Sequence, residues 1–237
     1  MSDHKEIKLT CLDQNNLDKY FKKLVKCYRL VFGGEDWQEW KICENNHKYS
    51  YQQSEHLKNC PKPKCSKQLN YYWPESVVEK KILTDLSLPE SIFIIAVDGS
   101  EVIGFTWGYQ MNDLTARKHL DGHLPYKLRR LMKRNGSTFW YQNEMGVLSD
   151  YRRQGLASQL YIKRMKKILE ESDHSLFIIR SYPKAKTYHW YIKKIGYQIL
   201  SKYYRPEIKE WRYLLKAGRQ TIANYISLKY QHQKANV

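Results

Sequence analysis

Two groups of residues in this chain have the types and spacing that chemistry needs. The first is Arg152-Arg153-Gln154-Gly155-Leu156-Ala157, a basic turn with one glycine, set between an apolar run and a helical pattern. After it, apolar residues recur at Ala157, Leu160, Tyr161, Met165 and Ile168, the spacing of one helix face. A helix that starts in such a turn leaves its first N–H groups unpaired, and its summed peptide dipole makes that end partly positive. Phosphate settles there. Gly155 and the small Ala157 let the backbone come close, and Arg152 and Arg153 add charge, so the turn reads as a pyrophosphate cradle. An ordinary strand-turn-helix with no ligand is the alternative reading of the same pattern.

The second group is Cys43-x3-His47 followed by Cys60-x4-Cys65, with Pro61 and Pro63 in the later pair. Three thiolates and an imidazole suit a tetrahedral structural zinc, and the gaps are close to knuckle spacing. His56 competes with His47 for the fourth position. The surrounding stretch, about 33–72, has no sustained periodicity and few aliphatic side chains, so it cannot pack a core of its own. A metal would supply the missing cross-link. The alternative is a flexible loop with incidental cysteines. Cys11 and Cys27 fall on a predicted strand and helix and read as small buried hydrophobes.

The elements that must position these groups follow from periodicity. Glu6 to Leu12 predicts a first strand, Asp13 a helix N-cap, and Leu17, Tyr20, Phe21, Leu24, Tyr28 and Val31 a helix that Gly33-Gly34 can stop. Pro74 is placed to begin a helix that runs to about Leu86. Ser91–Val97 and Val102–Tyr109 predict two strands around an Asp98-Gly99 hairpin turn. The span Asn112 to Gly136 is polar, basic and partly helical by pattern, and it carries His119, His123, Arg129, Arg130, Lys133 and Arg134. A strand at Ser175–Ser181 and a helical stripe at Tyr188, Tyr191, Ile192 and Ile195 ending at Gly196 follow the cradle. Strands near Tyr197–Tyr203 and Glu210–Lys216 lead into the tail. The class is α/β: one domain over 1–237 with a central mixed sheet flanked by helices, a metal-stapled insertion at about 35–72 and a basic tail over 217–237.

This order of elements resembles the GNAT superfamily of acyl-CoA-dependent N-acetyltransferases. The segment Glu144-Met-Gly-Val-Leu-Ser-Asp-Tyr-Arg-Arg-Gln-Gly-Leu-Ala-Ser-Gln-Leu160 is similar to its signature, in which an [RQ]-x-x-G-x-[GA] turn follows the fourth strand. Tyr191-Ile-Lys-Lys-Ile-Gly-Tyr197 resembles the closing motif. Bacterial members carry a similar cysteine-bearing insertion with a W-x-E stretch, here Trp37-Gln-Glu39. The resemblance implies acetyl-CoA as co-substrate and an amine as acceptor. It gives the backbone of Met145, Gly146 and Val147 to the pantetheine arm, and Arg152 through Ala157 to the pyrophosphate. Glu144 is the candidate base that takes the amine proton, with an ion-paired strand carboxylate as the alternative. Members often place a proton-donating tyrosine where this chain has Ile192, so Tyr191 is the neighbouring candidate and core packing its alternative. A thiol is a fair leaving group, so direct transfer without a dedicated acid also works. Neither a Ser-His-Asp nor a Cys-His grouping is evident.

Composition sets outer bounds. Forty-one Lys and Arg against 24 Asp and Glu give a net charge of +17, which attracts CoA phosphates, nucleic acid or acidic surfaces. The first residues have no apolar h-region and the longest apolar run, Ile92 to Val97, is too short for a bilayer, so a cytoplasmic protein is expected. Five cysteines, an odd number, fit poorly with a disulfide framework. Two rival functions stay open: a nucleic-acid-associated zinc protein, including one that acetylates aminoacyl-tRNA, and a non-catalytic acyl-CoA sensor.

Overall fold

We describe residues 6–120, 124–183, 185–205 and 210–235 of a computed structural model of the chain. His123, the first five residues and the last two of the tail lie outside the described residues.

Strand β1 (Lys8–Leu12) leads into helix α1 (Leu17–Gly33). Leu24, Tyr28, Val31 and Phe32 form the buried face of α1. The helix boundary corrects one expectation: the N-cap position is Asn16, not Asp13. Asp13 instead folds its carboxylate over the preceding turn, where it accepts from the amides of Asn15 (2.9 Å) and Asn16 (3.1 Å).

The insertion is also more ordered than its pattern suggested. Strands β2 (Lys41–Cys43), β3 (Lys48–Tyr49) and β4 (Leu69–Tyr71) form a small antiparallel sheet in the order β3-β2-β4. A one-turn helix α2 (Tyr51–Ser54) is closed by a Ser50/Gln53 capping box. Helix α3 (Glu75–Leu86) starts directly after Pro74, as expected.

Strands β5 (Ile92–Asp98) and β6 (Glu101–Met111) make the hairpin, with Gly99 at its tip. Helices α4 (Asp113–His119) and α5 (Tyr126–Arg134) follow. Next come strand β7 (Phe139–Val147), a short 3-10 turn at Ser149–Tyr151 and helix α6 (Leu156–Glu171). The chain closes with β8 (Leu176–Ser181), α7 (Lys186–Trp190), β9 (Gln198–Arg205), β10 (Glu210–Gly218) and α8 (Arg219–Ala235). Past α7 the helix widens into a π turn, and the amides of Gly196 and Tyr197 both bond the Tyr191 carbonyl, at 3.1 and 3.0 Å.

The large sheet has the strand order β1-β5-β6-β7-β8-β10-β9. It is mixed: β1 and β5, β8 and β10, and β9 and β10 run antiparallel, while β7 and β8 run parallel with α6 as their crossover. The parallel register includes Trp140↔Phe177, Tyr141↔Ile178 and Gln142↔Ile179.

The chain folds as two compact units whose segments interleave. The first holds residues up to Ser87, Phe93–Thr106 and Glu144–Tyr161; its core includes Leu24, Tyr28, Val78, Ile82, Phe105 and Leu160. The second holds Leu88–Ile92, Trp107–Asn143 and the chain from Ile162 onward; its core includes Trp107, Trp140, Phe177, Leu214 and Ile222. Arg164 is wholly buried in the second unit, where it donates to the Trp107 carbonyl (3.0 Å) and the Gln142 side chain (2.5 Å) and lies over the Trp140 ring. Fixed acceptors and a ring face replace the water that its charge gives up.

Candidate active site

The glycine turn is built as the sequence suggests, entirely within the first unit. Gly155 has φ +78, a conformation that an L side chain rarely adopts. No heavy atom lies within 4 Å of where a Cβ would stand there, so the protein does not fill the space itself. The first rung of α6 is Gln159 N–H to the Gly155 carbonyl, 3.1 Å, which leaves the amides of Gly155, Leu156 and Ala157 ahead of the ladder. Arg153 also has a positive φ, +65, and with Gln154 and Gly155 it is exposed. Arg152 turns inward: its Nε donates to the Val147 carbonyl at 2.8 Å, and its Nη1 pairs with Asp36. It therefore ties the turn to the end of β7. An uncrowded left-handed glycine at the head of a helix, with a guanidinium beside it, fits a diphosphate.

Along β7, Gly146 serves close packing. A Cβ there would stand 2.6 Å from Val31 of α1 and 2.7 Å from the Phe105 ring. Val147 is buried and Met145 half-buried. The Glu144 carbonyl accepts from the Thr106 hydroxyl at 3.1 Å.

The Glu144 carboxylate faces α1 and α3. Lys81 Nζ lies 3.4 Å from its Oε1 and 3.0 Å from Asp85, one turn further along α3. The Tyr28 hydroxyl donates to the same Glu144 oxygen at 3.4 Å. Burial pushes the Tyr28 phenol well above its ordinary range, and the carboxylates of Glu144, Glu39 and Asp85 push it further, so it stays a donor. Burial works to lower the Lys81 ammonium, but Glu144 and Asp85 outweigh it and hold its pKa above the usual 10.5. Lys81 and the Tyr28 hydroxyl thus hold the same oxygen of the Glu144 carboxylate in place.

Sequence reasoning missed Lys81, Asp85 and Tyr28. A signal was there: α3 buries Val78, Ile82 and Asp85, one stripe of a helix, and an acid on an apolar stripe needs a partner.

Tyr191 sits in the other unit. It is 1% exposed and packs its ring on Tyr197 and Trp190 at centroid distances of 5.3 and 5.1 Å. Burial raises its pKa, partly offset by the charge of Arg164 and by a hydrogen bond with it. This is the setting of a core side chain.

The cysteine group comes together as one cluster. The ligand atoms of Cys43, His47, Cys60 and Cys65 all lie within 4.8 Å of one another. His47 Nδ1 is 3.5 Å from Cys43 Sγ and 3.4 Å from Cys60 Sγ; Cys43 and Cys65 Sγ are 3.9 Å apart. A tetrahedron with ordinary zinc bond lengths has edges of about 3.8 Å between sulfurs and about 3.6 Å between sulfur and nitrogen. These three edges match within a few tenths of an ångström, and the four ligand atoms together span no more than 4.8 Å. His56 is 91% exposed beside Glu55, which decides the fourth position for His47. Tyr49 and Asn45 add hydrogen bonds to Cys60 (3.0 Å) and Cys65 (3.2 Å), as outer partners of a thiolate site would. The local apolar cluster consists of the three cysteines and Leu69, flanked by Tyr49 and Leu57, too little to hold the segment without a cross-link.

The insertion connects to Glu144. Lys48, next to His47, reaches Glu39 at 3.1 Å; Glu39 also accepts from Trp73 Nε1 at 3.0 Å; Trp73 meets the Tyr28 ring edge-on at 5.8 Å. Trp37-Gln-Glu39 thus supplies the acid at the centre of this chain of contacts.

The parallel strands of the mixed sheet are thus joined through a glycine turn and a crossover helix. Over residues 51–197 the chain matches the Acetyltransferase (GNAT) family, and it belongs to that family: it is an N-acetyltransferase, of the class that moves an acyl group to an amine. No curated protein matches it significantly. Among solved structures, an uncharacterized protein from Bacillus halodurans is similar at 12% identity and TM-score 0.53, over 94% of this chain and 89% of that one. A chain of the NatC complex bound to Gag peptide and CoA is similar at 14% identity and TM-score 0.51, over 90% and 98%. An N-acetyltransferase from Staphylococcus aureus Mu50 is similar at 9% identity and TM-score 0.51, over 90% and 99%. At these identities the likeness concerns the fold. Among the described residues, no helix is long and apolar enough to cross a membrane.

Proposed function

We propose that the protein is an acetyl-CoA-dependent N-acetyltransferase in which the amine attacks the thioester directly. The observation that carries this reading is the left-handed turn at Gly155, where no protein atom crowds a Cβ position, heading α6 inside a GNAT fold. The amides of Gly155, Leu156 and Ala157 would hold the diphosphate of the acyl carrier, with Arg153 and Gln154 at its rim and Arg152 fixing the turn from behind. The backbone of Met145, Gly146 and Val147 would orient the pantetheine arm.

When bound, acetyl-CoA supplies the activated acyl group and a thiolate leaving group. Glu144 would take the proton of the incoming ammonium, with Tyr28 and Lys81 fixing its carboxylate. Tyr191 is engaged in the core of the second unit, so the reading gives the leaving thiolate no dedicated acid. Cys43, His47, Cys60 and Cys65 would hold a structural zinc that staples the insertion and, through Glu39 and Trp73, steadies the wall beside Tyr28.

A panel of amines, scored by release of free CoA, tests the reading. Turnover above the hydrolysis background with at least one amine is expected. Turnover with none, in a protein that binds acetyl-CoA, would favour the sensor reading.

A further inference from the structure

The net charge of +17 is not shared between the two units. The first contains 17 Lys and Arg against 16 Asp and Glu; the second contains 24 against 8. A general lysine bias would load both halves of one chain alike. Here the excess is confined to one unit.

That excess is presented, not neutralised. Helix α5 exposes Lys127, Arg129, Arg130, Lys133 and Arg134, five of its nine residues. Among the described residues none of the five meets a carboxylate within 4.0 Å, whereas Lys22, Lys48, Lys81 and Arg152 of the first unit are all ion-paired. Of the apolar residues of α5, Leu128 and Met132 are buried and Leu131 is half-buried, while Tyr126 is 73% exposed. The helix therefore offers five cations and one exposed ring, with no exposed aliphatic stripe for a lipid surface.

The strand beside it adds rings. α5 packs on β9, the last strand of the sheet, and β9 pairs Tyr204 with Trp211 of β10. These two aromatics are 47% and 48% exposed, their centroids are 5.5 Å apart, and Lys202 lies over Trp211 at 5.6 Å. Exposed rings and unpaired cations within one unit suit bases and phosphates, and a ring can stack only on a base that is out of a duplex.

From these observations we infer that the second unit is a docking surface for nucleic acid with unpaired bases: the α5 cations take phosphates and Trp211 and Tyr204 stack on bases. The inference is independent of the acetyl-transfer reading.

The test is fluorescence anisotropy of a labelled uridine dodecamer with the full chain, against a duplex DNA of equal length and against heparin. The single strand should bind most tightly. Raising salt from about 50 to about 200 mM should weaken it about 100-fold if five phosphates are neutralised. Trp211→Ala should cost the single strand about tenfold, and a combined Arg129→Ala, Arg130→Ala and Lys133→Ala variant should flatten the salt slope by about two. All these side chains are exposed, so unchanged far-UV circular dichroism and melting should accompany both variants. Binding by heparin and duplex as tight as by the single strand, with no effect of Trp211→Ala, would overturn the inference in favour of plain polyelectrolyte attraction. No binding at low salt would overturn it outright.

Discussion

The two units differ in how far their charge is balanced. In the first, acids and bases are nearly equal in number and some pair around specific groups: Lys81 between Glu144 and Asp85, Lys48 on Glu39, Arg152 on Asp36. In the second, cations outnumber acids threefold, and the five of α5 are exposed with no carboxylate among the described residues within 4.0 Å. Charge that is paired and half-buried fixes the position of a neighbour, as Lys81 does for the Glu144 carboxylate. Charge left in solvent acts at longer range and is screened by salt. On the proposed readings, the first unit would supply the proton chemistry at Glu144 and the second would hold a single-stranded nucleic acid.

The contrast can be broken first at Glu144. Glu144→Gln keeps the shape of the side chain and removes its basicity; if it is the base, kcat should fall by about 100- to 10,000-fold with the KM for acetyl-CoA little changed. Steady-state kinetics decide this, and a variant with near-wild-type kcat would reduce Glu144 to an ion-paired strand residue.

Metal removal comes next. Stripping the protein with a chelator, or making Cys60→Ser, should release one zinc per chain by elemental analysis and lower the melting temperature by on the order of 10 °C. Activity should drop with it, because the Glu39–Trp73 wall is tied to the clip. Full stability and no metal in the purified protein would remove the staple.

The smallest effect sharpens the pairing itself. The pKa of Lys81 is raised above 10.5 in the fold, so its stabilising contribution is complete below that value and fades as pH rises through the higher folded one. Lys81→Met should thus cost about 2 kcal/mol, a difference that stays constant between about pH 6 and pH 10 and shrinks above about pH 10.5. Urea unfolding across pH measures it. A difference that grew at high pH would contradict the pairing.

Much of this was legible in the sequence because it rests on local signals. The glycine turn, the hairpin at Asp98-Gly99, the helix after Pro74 and the cysteine spacing each sit within a few residues and are read by period or by turn chemistry. What stayed hidden is tertiary or too short to show a period. Strands of two or three residues, as in β2 and β3, cannot display alternation, so the insertion looked like a loop. The choice of His47 over His56 depends on which ring the fold turns inward. The partners of Glu144 come from α1 and α3, more than sixty residues upstream of it in the chain. The division of charge is invisible until the interleaved segments of each unit are known, since +17 is one number for the whole chain.

The central claim is that the main chain around Gly155 receives the diphosphate of an acyl carrier. Isothermal titration of acetyl-CoA into the full protein and into Gly155→Val tests it most directly, since a branched side chain at φ +78 is strained by about 1–3 kcal/mol and would project into the vacant space. The account predicts saturable one-to-one binding to the native chain, weakened at least about tenfold in the variant, the equivalent of about 1.4 kcal/mol. No saturable heat from the native chain, or equal affinity in both proteins, would contradict it.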